Sequence, residues 1–312
     1  MAANYSYKRV DESCYQHLVD IYEAAFKQPT SVHYYKNKFD TGYLGVKHLG
    51  FLAYDENNQP AAFYGVFPYM MEYQGQKYLA AQSGDTMTHP AHTGKGLFTT
   101  LGKITYELAI KEGIGFIFGF PNENSYPGFT RKLNWIHKEN MNNYEFDVLT
   151  LPFAALTKKI RFLSGFYAAY QCLILSFFKP RKPIIQNSAI GLNKAGVHRS
   201  DAFFKYKSFY GNYVIGIEDR DFWIKVDGAL LVGDIEIKET NTGEEVIKQM
   251  KRLAFWLGCT KVIFAVGKET AWDVLLKQSA TCKEGAYVGY LDLQSGLPLG
   301  DFKFVMADMD IF

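Results

Sequence analysis

Residues Asp85–Asn134 read DTMTHPAHTGKGLFTTLGKITYELAIKEGIGFIFGFPNENSYPGFTRKLN. A strand runs into Thr88-His89-Pro90, a Gly-x-Gly turn follows at Gly94-Lys95-Gly96, and Leu97, Leu101, Ile104, Leu108 and Ile110 then recur at a mostly helical spacing. A second apolar run, Gly115–Phe120, ends in Pro121-Asn122. This order builds a site for a phosphate-bearing cofactor between two splayed strands. Glycine has no Cβ, so backbone N–H groups at the turn can approach a ligand closely. The first N–H groups of the helix starting near Leu97 lack intrahelical partners and carry partial positive charge, which suits a pyrophosphate. Lys95 either adds to that charge or is simply solvated. Two other nucleotide loops are excluded. A Walker loop needs Gly-Lys followed by Ser or Thr, and Lys95 is followed by Gly96. A dinucleotide fingerprint needs three glycines and an acidic residue closing the next strand, where this chain has Pro121-Asn122.

Outward from this segment, Ser6–Val10 reads as a strand, Asp11 as the cap of a helix running to Phe26, and Ser31 as the cap of a second helix to about Phe39. Three strands follow at Leu49–Tyr54, Ala61–Met71 and Tyr78–Met87, with polar turns between them. Beyond the second apolar strand come a short helix from Ser125 and strand material over Trp135–Val148. Pro152–Phe178 is a strongly apolar helical stretch, too interrupted by Ser164, Gly165 and Gln171 for a transmembrane span. It is expected to be a buried linker helix. Contact with a membrane surface is the alternative, because Lys179, Arg181 and Lys182 follow it. From Ser188 a second run is expected: strands at Tyr213–Ile217, Phe222–Val226 and Ala229–Glu236, a helix over Glu244–Leu257, a strand at Val262–Val266, a helix over Glu269–Gln278, and strands at Ala286–Leu291 and Phe302–Met306. The expected domains are therefore 1–150, a linker over 151–187, and 188–312. The fold class is α/β (α+β), two tandem domains each with a mixed, mostly antiparallel sheet flanked by helices. The second is a degenerate version. Its Lys238–Gly243 turn lacks Gly-x-Gly, so no cofactor loop is expected there.

Composition narrows the function. The 312 residues are 48% hydrophobic, and 34 basic against 32 acidic residues leave a net charge of +2. No basic block is interleaved with aromatics, which argues against nucleic acid. Cys14, Cys172, Cys259 and Cys282 form no Cys-x-x-Cys pair, so neither a zinc ribbon nor a disulfide framework is indicated. No apolar signal-peptide core opens the chain, so a cytoplasmic, reduced location is expected. No metal is expected either: His89 and His92 lack a third ligand nearby. No Gly-x-Ser-x-Gly elbow occurs.

Ala91-His92-Thr93-Gly94-Lys95-Gly96 resembles motif A of the GNAT acyltransferase superfamily, whose pattern is Arg or Gln, two residues, Gly, one residue, then Gly or Ala. Ala91 departs from it. Asn124-Ser125-Tyr126 to Leu133-Asn134-Trp135 resembles the family's Asn…Tyr-x-Lys-Leu-Gly-Phe helix, with Thr130 where the family often has its Tyr acid and Asn134-Trp135 replacing Gly-Phe. The resemblance is specific over Ala80–Trp135, extends to 1–150, and is greatest to tandem-domain GNAT proteins of bacteria.

The resemblance implies acetyl-CoA, or another acyl-CoA, as co-substrate and a small-molecule amine or amino sugar as acceptor, bound in a cleft between the domains. Thr93, Gly94, Lys95, Gly96 and Leu97 would hold the pyrophosphate with His92 beside them. A backbone N–H at Met87 or Thr88 would bond the thioester oxygen. Asn122 and Asn124 would either bond the pantetheine amides or form the turn at Pro121. Asp85 is the candidate general base, directly or through water; the alternative is a polar strand residue satisfied by backbone. An unperturbed Asp has a pKa of about 3.9, so a base role near neutrality needs burial or a water relay. Tyr126, one helical turn from Thr130, is either the acid for the leaving thiolate or an aromatic packed under its helix. Tyr34, Tyr35, Tyr69 and Tyr73 border the acceptor side or pack. Two rival functions remain at this point: a CoA-binding regulatory module without catalysis, and a tRNA-using aminoacyl transferase of the tandem type, against which the modest charge argues. The tail through Asp308 and Asp310 to Phe312 suggests an anchored C-terminus.

Overall fold

The computed structural model describes residues 4–190, 194–237 and 242–312. The chain forms two compact units: Met1–Met71 with Gln76–Lys138 and Tyr287–Gly300, and Glu72–Gly75 with Glu139–Ala286 and Asp301–Phe312.

The first unit opens with β1 (Ser6–Arg9), followed by α1 (Tyr15–Phe26) and α2 (Val32–Lys38). Asp11 accepts from Ser13 N–H in the one-turn 3-10 helix ahead of α1, and Ser31 Oγ accepts from Tyr34 N–H at 3.1 Å to cap α2. Strands β2 (Gly50–Tyr54), β3 (Pro60–Tyr73) and β4 (Gln76–Thr88) follow, then α3 (Leu97–Lys111), β5 (Phe116–Gly119) and α4 (Tyr126–Lys132). The turn between β3 and β4 places Gln74 and Gly75 at positive φ, as a tight hairpin requires. The strands run β1-β2-β3-β4-β5. β1–β2 and β2–β3 are antiparallel, and β4–β5 is parallel across the α3 crossover. Leu97, Leu101 and Ala109 of α3 pack on Ala62, Tyr64 and Ala81 of the sheet, which is how the helical spacing becomes a core.

A buried polar knot sits in that core. Tyr106 and Tyr64 share a hydrogen bond at 2.6 Å, and Trp135 Nε1 donates to the Tyr106 hydroxyl at 2.8 Å. Burial pushes both phenols up, so they stay protonated. Tyr106→Phe leaves the Trp135 N–H without its acceptor and is expected to cost about 2 kcal/mol in denaturant unfolding. A loss under about 0.5 kcal/mol would contradict this account.

The second unit contains residues of β6 (Ile136–Asp147), then α5 (Phe153–Lys159), α6 (Ser164–Ser176), β7 (Gly196–Val197), α7 (Asp201–Lys207), β8 (Asn212–Ile217), β9 (Arg220–Val226), β10 (Leu230–Ile235), α8 (Gly243–Trp256), β11 (Lys261–Val266), α9 (Ala271–Lys277) and the start of β12 (Lys283–Asp292). Its strand order is β12-β6-β11-β10-β9-β8. β10 and β11 are parallel across the α8 crossover, the same device as β4-α3-β5. The mixed α/β architecture read from the sequence, a mixed sheet flanked by helices, is present. The turn expected at Lys238–Gly243 lies outside the described residues up to 241; Thr242 Oγ1 accepts from Glu245 N–H and caps α8.

Three expectations need correction. The last four residues of β12, Gly289–Asp292, pair antiparallel with Phe116–Gly119 of β5 and so finish the first sheet. Phe302–Met306 is not a strand: Val305 N–H donates to Asp308 Oδ2 at 2.8 Å, and only isolated bridges at Phe302 and Val305 remain. Pro152–Phe178 is neither one helix nor buried. It breaks between α5 and α6, and Phe162, Phe166 and Phe177 are 74%, 71% and 75% exposed. Among the described residues no helix is long and apolar enough to cross a membrane.

Candidate active site

β4 and β5 are in register at Ala81–Ile117 and Gln82–Phe118. β5 stops at Gly119, whereas β4 continues through Ser83–Thr88. Asp85 sits in this overhang at φ +50°, in the left-handed region that a non-glycine residue rarely adopts. Such strain, of order 1 kcal/mol, is found where surrounding contacts hold a residue in place.

Lys38 does that here. Its Nζ lies 2.7 Å from Asp85 Oδ2, with side chains 1% and 13% exposed. The ammonium also donates to the Tyr34 hydroxyl at 3.2 Å and stands 4.6 Å from the Phe67 ring centroid. An almost dry ion pair has thus been built under the overhang. Tyr35 and Tyr22 feel it: burial first, then the negative charge of Asp85, raises both phenols. Tyr35 donates its hydroxyl to Met87 Sδ at 3.8 Å, so the Met87 side chain belongs to the core. Thr88 is half-buried, and the next residue, His89, donates its N–H to Ala61 O. Tyr35 and Tyr69 are core aromatics.

The loop beyond Thr88 is held from below. His89 Nδ1 accepts from Ala91 N–H at 3.2 Å, which starts a one-turn helix over Pro90–His92, and Thr93 Oγ1 donates to Pro90 O. The Tyr5 hydroxyl and His92 Nδ1 are 2.9 Å apart, and His92 Nε2 is 3.9 Å from Asp55 Oδ2. His92 is therefore a strut for the loop. Gly94 and Gly96 follow at φ +73° and +77°, both exposed. A Cβ at either would meet nothing within 4 Å, so it is the backbone conformation that demands glycine. The helix's first internal bonds run from Thr99 and Thr100 N–H to Gly96 O, each at 3.1 Å. Among the described residues the N–H groups of Gly94, Lys95 and Gly96 donate to no backbone carbonyl, and Leu97 and Phe98 open α3, where N–H groups have no partner a turn earlier. Five consecutive N–H groups at the positive end of a 15-residue helix make an anion cradle. Lys95 is exposed beside it.

The end of β5 is wound tightly. Asn122 Oδ1 accepts from Asn124 N–H at 3.1 Å and Ser125 N–H at 3.0 Å, and Asn122 N–H donates to Ser125 Oγ. The Asn122 amide oxygen is thereby used in the turn, and both asparagines are exposed. Tyr126 stacks on Tyr287, with ring centroids 4.5 Å apart, and meets His137 edge-on at 5.5 Å. Thr130 Oγ1 donates to Tyr126 O, so the hydroxyl at this position is engaged within α4.

The structure thus brings Asp85, Met87 and Thr88 together on the overhang and Thr93, Gly94, Lys95, Gly96 and Leu97 together at the cradle. Tyr126 makes its ring contacts with Tyr287 and His137. Sequence reasoning missed Lys38, whose only local signal was its place one turn after Tyr34 and next to Phe39. Among the described residues no group of three or more His, Cys, Asp or Glu side chains is placed to hold a metal ion.

Comparison with known proteins agrees with this geometry. Residues 6–137 match the sequence model of the acetyltransferase (GNAT) domain. No curated protein matches the chain. Among solved structures, a GCN5-related N-acetyltransferase from Kribbella flavida superposes with a TM-score of 0.56 at 11% identity, over 94% of this chain and 72% of that one. A protein from Pyrococcus horikoshii, described as a candidate acetyltransferase, superposes with a TM-score of 0.55 at 12% identity, over 98% and 95%. A GCN5-related N-acetyltransferase from Anabaena variabilis ATCC 29413 gives 0.54 at 15% identity, over 92% and 72%. At these identities the superpositions speak for the fold alone. With the glycine cradle and the overhanging β4 in agreement, residues 6–137 of this chain match the GNAT acetyltransferase domain in sequence and share its fold.

Proposed function

We propose that the protein is an acyl-CoA-dependent N-acyltransferase, using acetyl-CoA in the first instance, with the amine of a small molecule or amino sugar as acceptor. The observation that carries this reading is the open row of N–H groups from Gly94 to Phe98 at the start of α3, beside a β4 that outruns β5. A diphosphate fits such a cradle. Thr93 through Leu97 would hold it, with Lys95 adding charge. Acyl-CoA supplies an activated thioester: the amine bonds to its carbonyl carbon, the C–S bond breaks, and a proton passes from nitrogen towards the thiolate. Backbone N–H groups at Met87 or Thr88 would polarise the carbonyl. Asp85 would take the proton from the amine, and Tyr126 would supply one to sulfur. Positioning the two reactants provides much of the rate.

Thr130 supports a second reading, a CoA-binding module without turnover. It occupies the position where related proteins often carry their Tyr acid, and its hydroxyl is engaged with Tyr126 O.

Calorimetric titration of acetyl-CoA into wild type and into Gly94→Glu/Gly96→Glu tests the proposal. Wild type is expected to bind. The double variant, with two carboxylates in the cradle and about 1–2 kcal/mol of left-handed strain at each position, is expected to lose binding while keeping its circular dichroism. Release of free thiol with an amine panel then separates enzyme from module. A wild type silent to acetyl-CoA and to longer acyl-CoAs would overturn both readings.

A further inference from the structure

Helices α5 and α6 lie in the second unit with most of their apolar side chains facing solvent. Among the described side chains of residues 149–178, the buried ones are Ala154 and Leu175. The arrangement is fixed: Tyr167 donates its hydroxyl to Leu257 O at 2.8 Å, and Tyr170 to Trp256 O, so α6 is tied to the end of α8. The tie uses the polar ends of two tyrosines and leaves Phe162, Phe166, Leu173 and Phe177 outward. Phe255 and Trp256 at the end of α8 are half exposed and extend the surface, and a hollow of about 510 Å³ opens between them and Leu149, Leu151, Phe153 and Tyr170. An apolar surface this size on an otherwise ordinary protein marks an interaction site.

Charge indicates the occupant. Between Asp147 and Asp201 the sequence has no acidic residue, yet Lys158, Lys159, Arg161, Lys179, Arg181 and Lys182 fall within or at the end of the apolar segment. Those six positive charges contrast with a net charge of +2 for the whole chain. Lys158, Lys179, Arg181 and Lys182 are exposed. Aromatic and leucine side chains on one surface, with lysine and arginine at its margins and no acid within the segment itself, is the composition of a helix that lies in the headgroup region of an anionic bilayer. In the fold Lys158 pairs with Asp227 and Lys182 with Glu236, ion pairs at the exposed margin that phosphates can compete for. A protein partner would need the apolar residues but not the absence of acids over the whole stretch. Neither helix can span a bilayer, so the contact is peripheral.

We infer that α5, α6 and the end of α8 form a docking surface for an anionic lipid bilayer, with the Phe162–Phe177 face inserted at the acyl boundary and the flanking basic residues on the lipid phosphates. The inference stands independently of the acyltransferase reading. Flotation of the whole chain with phosphatidylcholine vesicles carrying about one third phosphatidylglycerol, against pure phosphatidylcholine vesicles, tests it. Binding is expected to the first and to be at least about tenfold weaker to the second. Phe166→Glu/Leu173→Glu and Lys179→Glu/Lys182→Glu are each expected to weaken binding to the anionic vesicles at least about tenfold, the first by lost insertion and the second by lost attraction. All four positions are exposed, so thermal midpoints are expected to be unchanged by the first pair and to fall only slightly for the second, which gives up the surface Lys182–Glu236 ion pair. Wild type that ignores both vesicles overturns the inference, as does equal binding by folded Phe166→Glu/Leu173→Glu. Sedimentation velocity adds a decisive alternative: a dimer that the apolar variant dissociates, with no vesicle binding, would assign the surface to a second copy of this chain.

Discussion

Arg199→Met is expected to destabilise the second unit by about 3–5 kcal/mol. The guanidinium is buried. Its Nη2 donates to Asp308 Oδ1 at 2.7 Å and Asp234 Oδ2 at 3.3 Å, and it packs over the Trp223 and Phe203 rings. Methionine keeps most of the apolar contact but leaves two carboxylates in a dry site. The loss should depend on pH in a defined direction. Burial, opposed by Arg199, already holds Asp234 at about 6, and Asp308 is raised for the same reasons. Unfolded aspartate titrates near about 3.9. Between these values the folded state binds more protons than the unfolded one, so stability from this pair is greatest in acid and falls as pH rises through about 6. Without Arg199 both folded carboxylates rise further and the window widens upward. Denaturant unfolding at pH 5 and pH 8 is therefore expected to show the larger cost of Arg199→Met at pH 8. An equal cost at both would mean that the lost contacts, not the stranded charges, set the effect.

The second large effect is expected at Asp85. If this carboxylate takes the amine proton, Asp85→Asn should lower turnover about 10²–10⁴-fold while leaving acetyl-CoA affinity within about twofold, since the cradle is untouched. Asparagine accepts a left-handed φ as readily as aspartate, so the substitution isolates charge from backbone conformation. Lys38→Met removes the ammonium 2.7 Å away and should cost about 3 kcal/mol of stability. The double variant should regain most of that stability and none of the activity, because two neutral groups can share a dry site that one charge cannot. Full turnover by Asp85→Asn would remove the base role and leave the pair as a structural brace for the strained strand.

What the sequence disclosed follows from how local the cause is. Gly94 and Gly96 were legible because a positive φ ahead of a helix leaves a residue-type mark at its own position. Caps such as Asp11 and Ser31 are equally local. Lys38 was hidden because its meaning depends on Asp85, which reaches it only through the packing of α2 beneath β4. The α7 helix was missed although Ser200 caps it through Phe203 N–H, a signal diluted by the aromatic run that follows. Periodicity announced the apolar segment after Pro152 but not its exposure, since an apolar face fits a core or a bilayer equally well. The anchored tail was legible in part: Asp308 meets Arg199, Lys207 donates to Met309 O, and Phe312 is buried against Trp223.

The pairing of Gly289–Asp292 with Phe116–Gly119 has a consequence for how the molecule is made. As the chain leaves the ribosome, the N-terminal sheet acquires its Gly94–Gly96 loop early but keeps a bare edge along β5 until Gly289–Asp292 are translated. Those backbone groups are a template for wrong partners during that interval. β5 is only four residues long and lies between Gly115 and the Pro121 turn, which limits how much bare edge waits for β12.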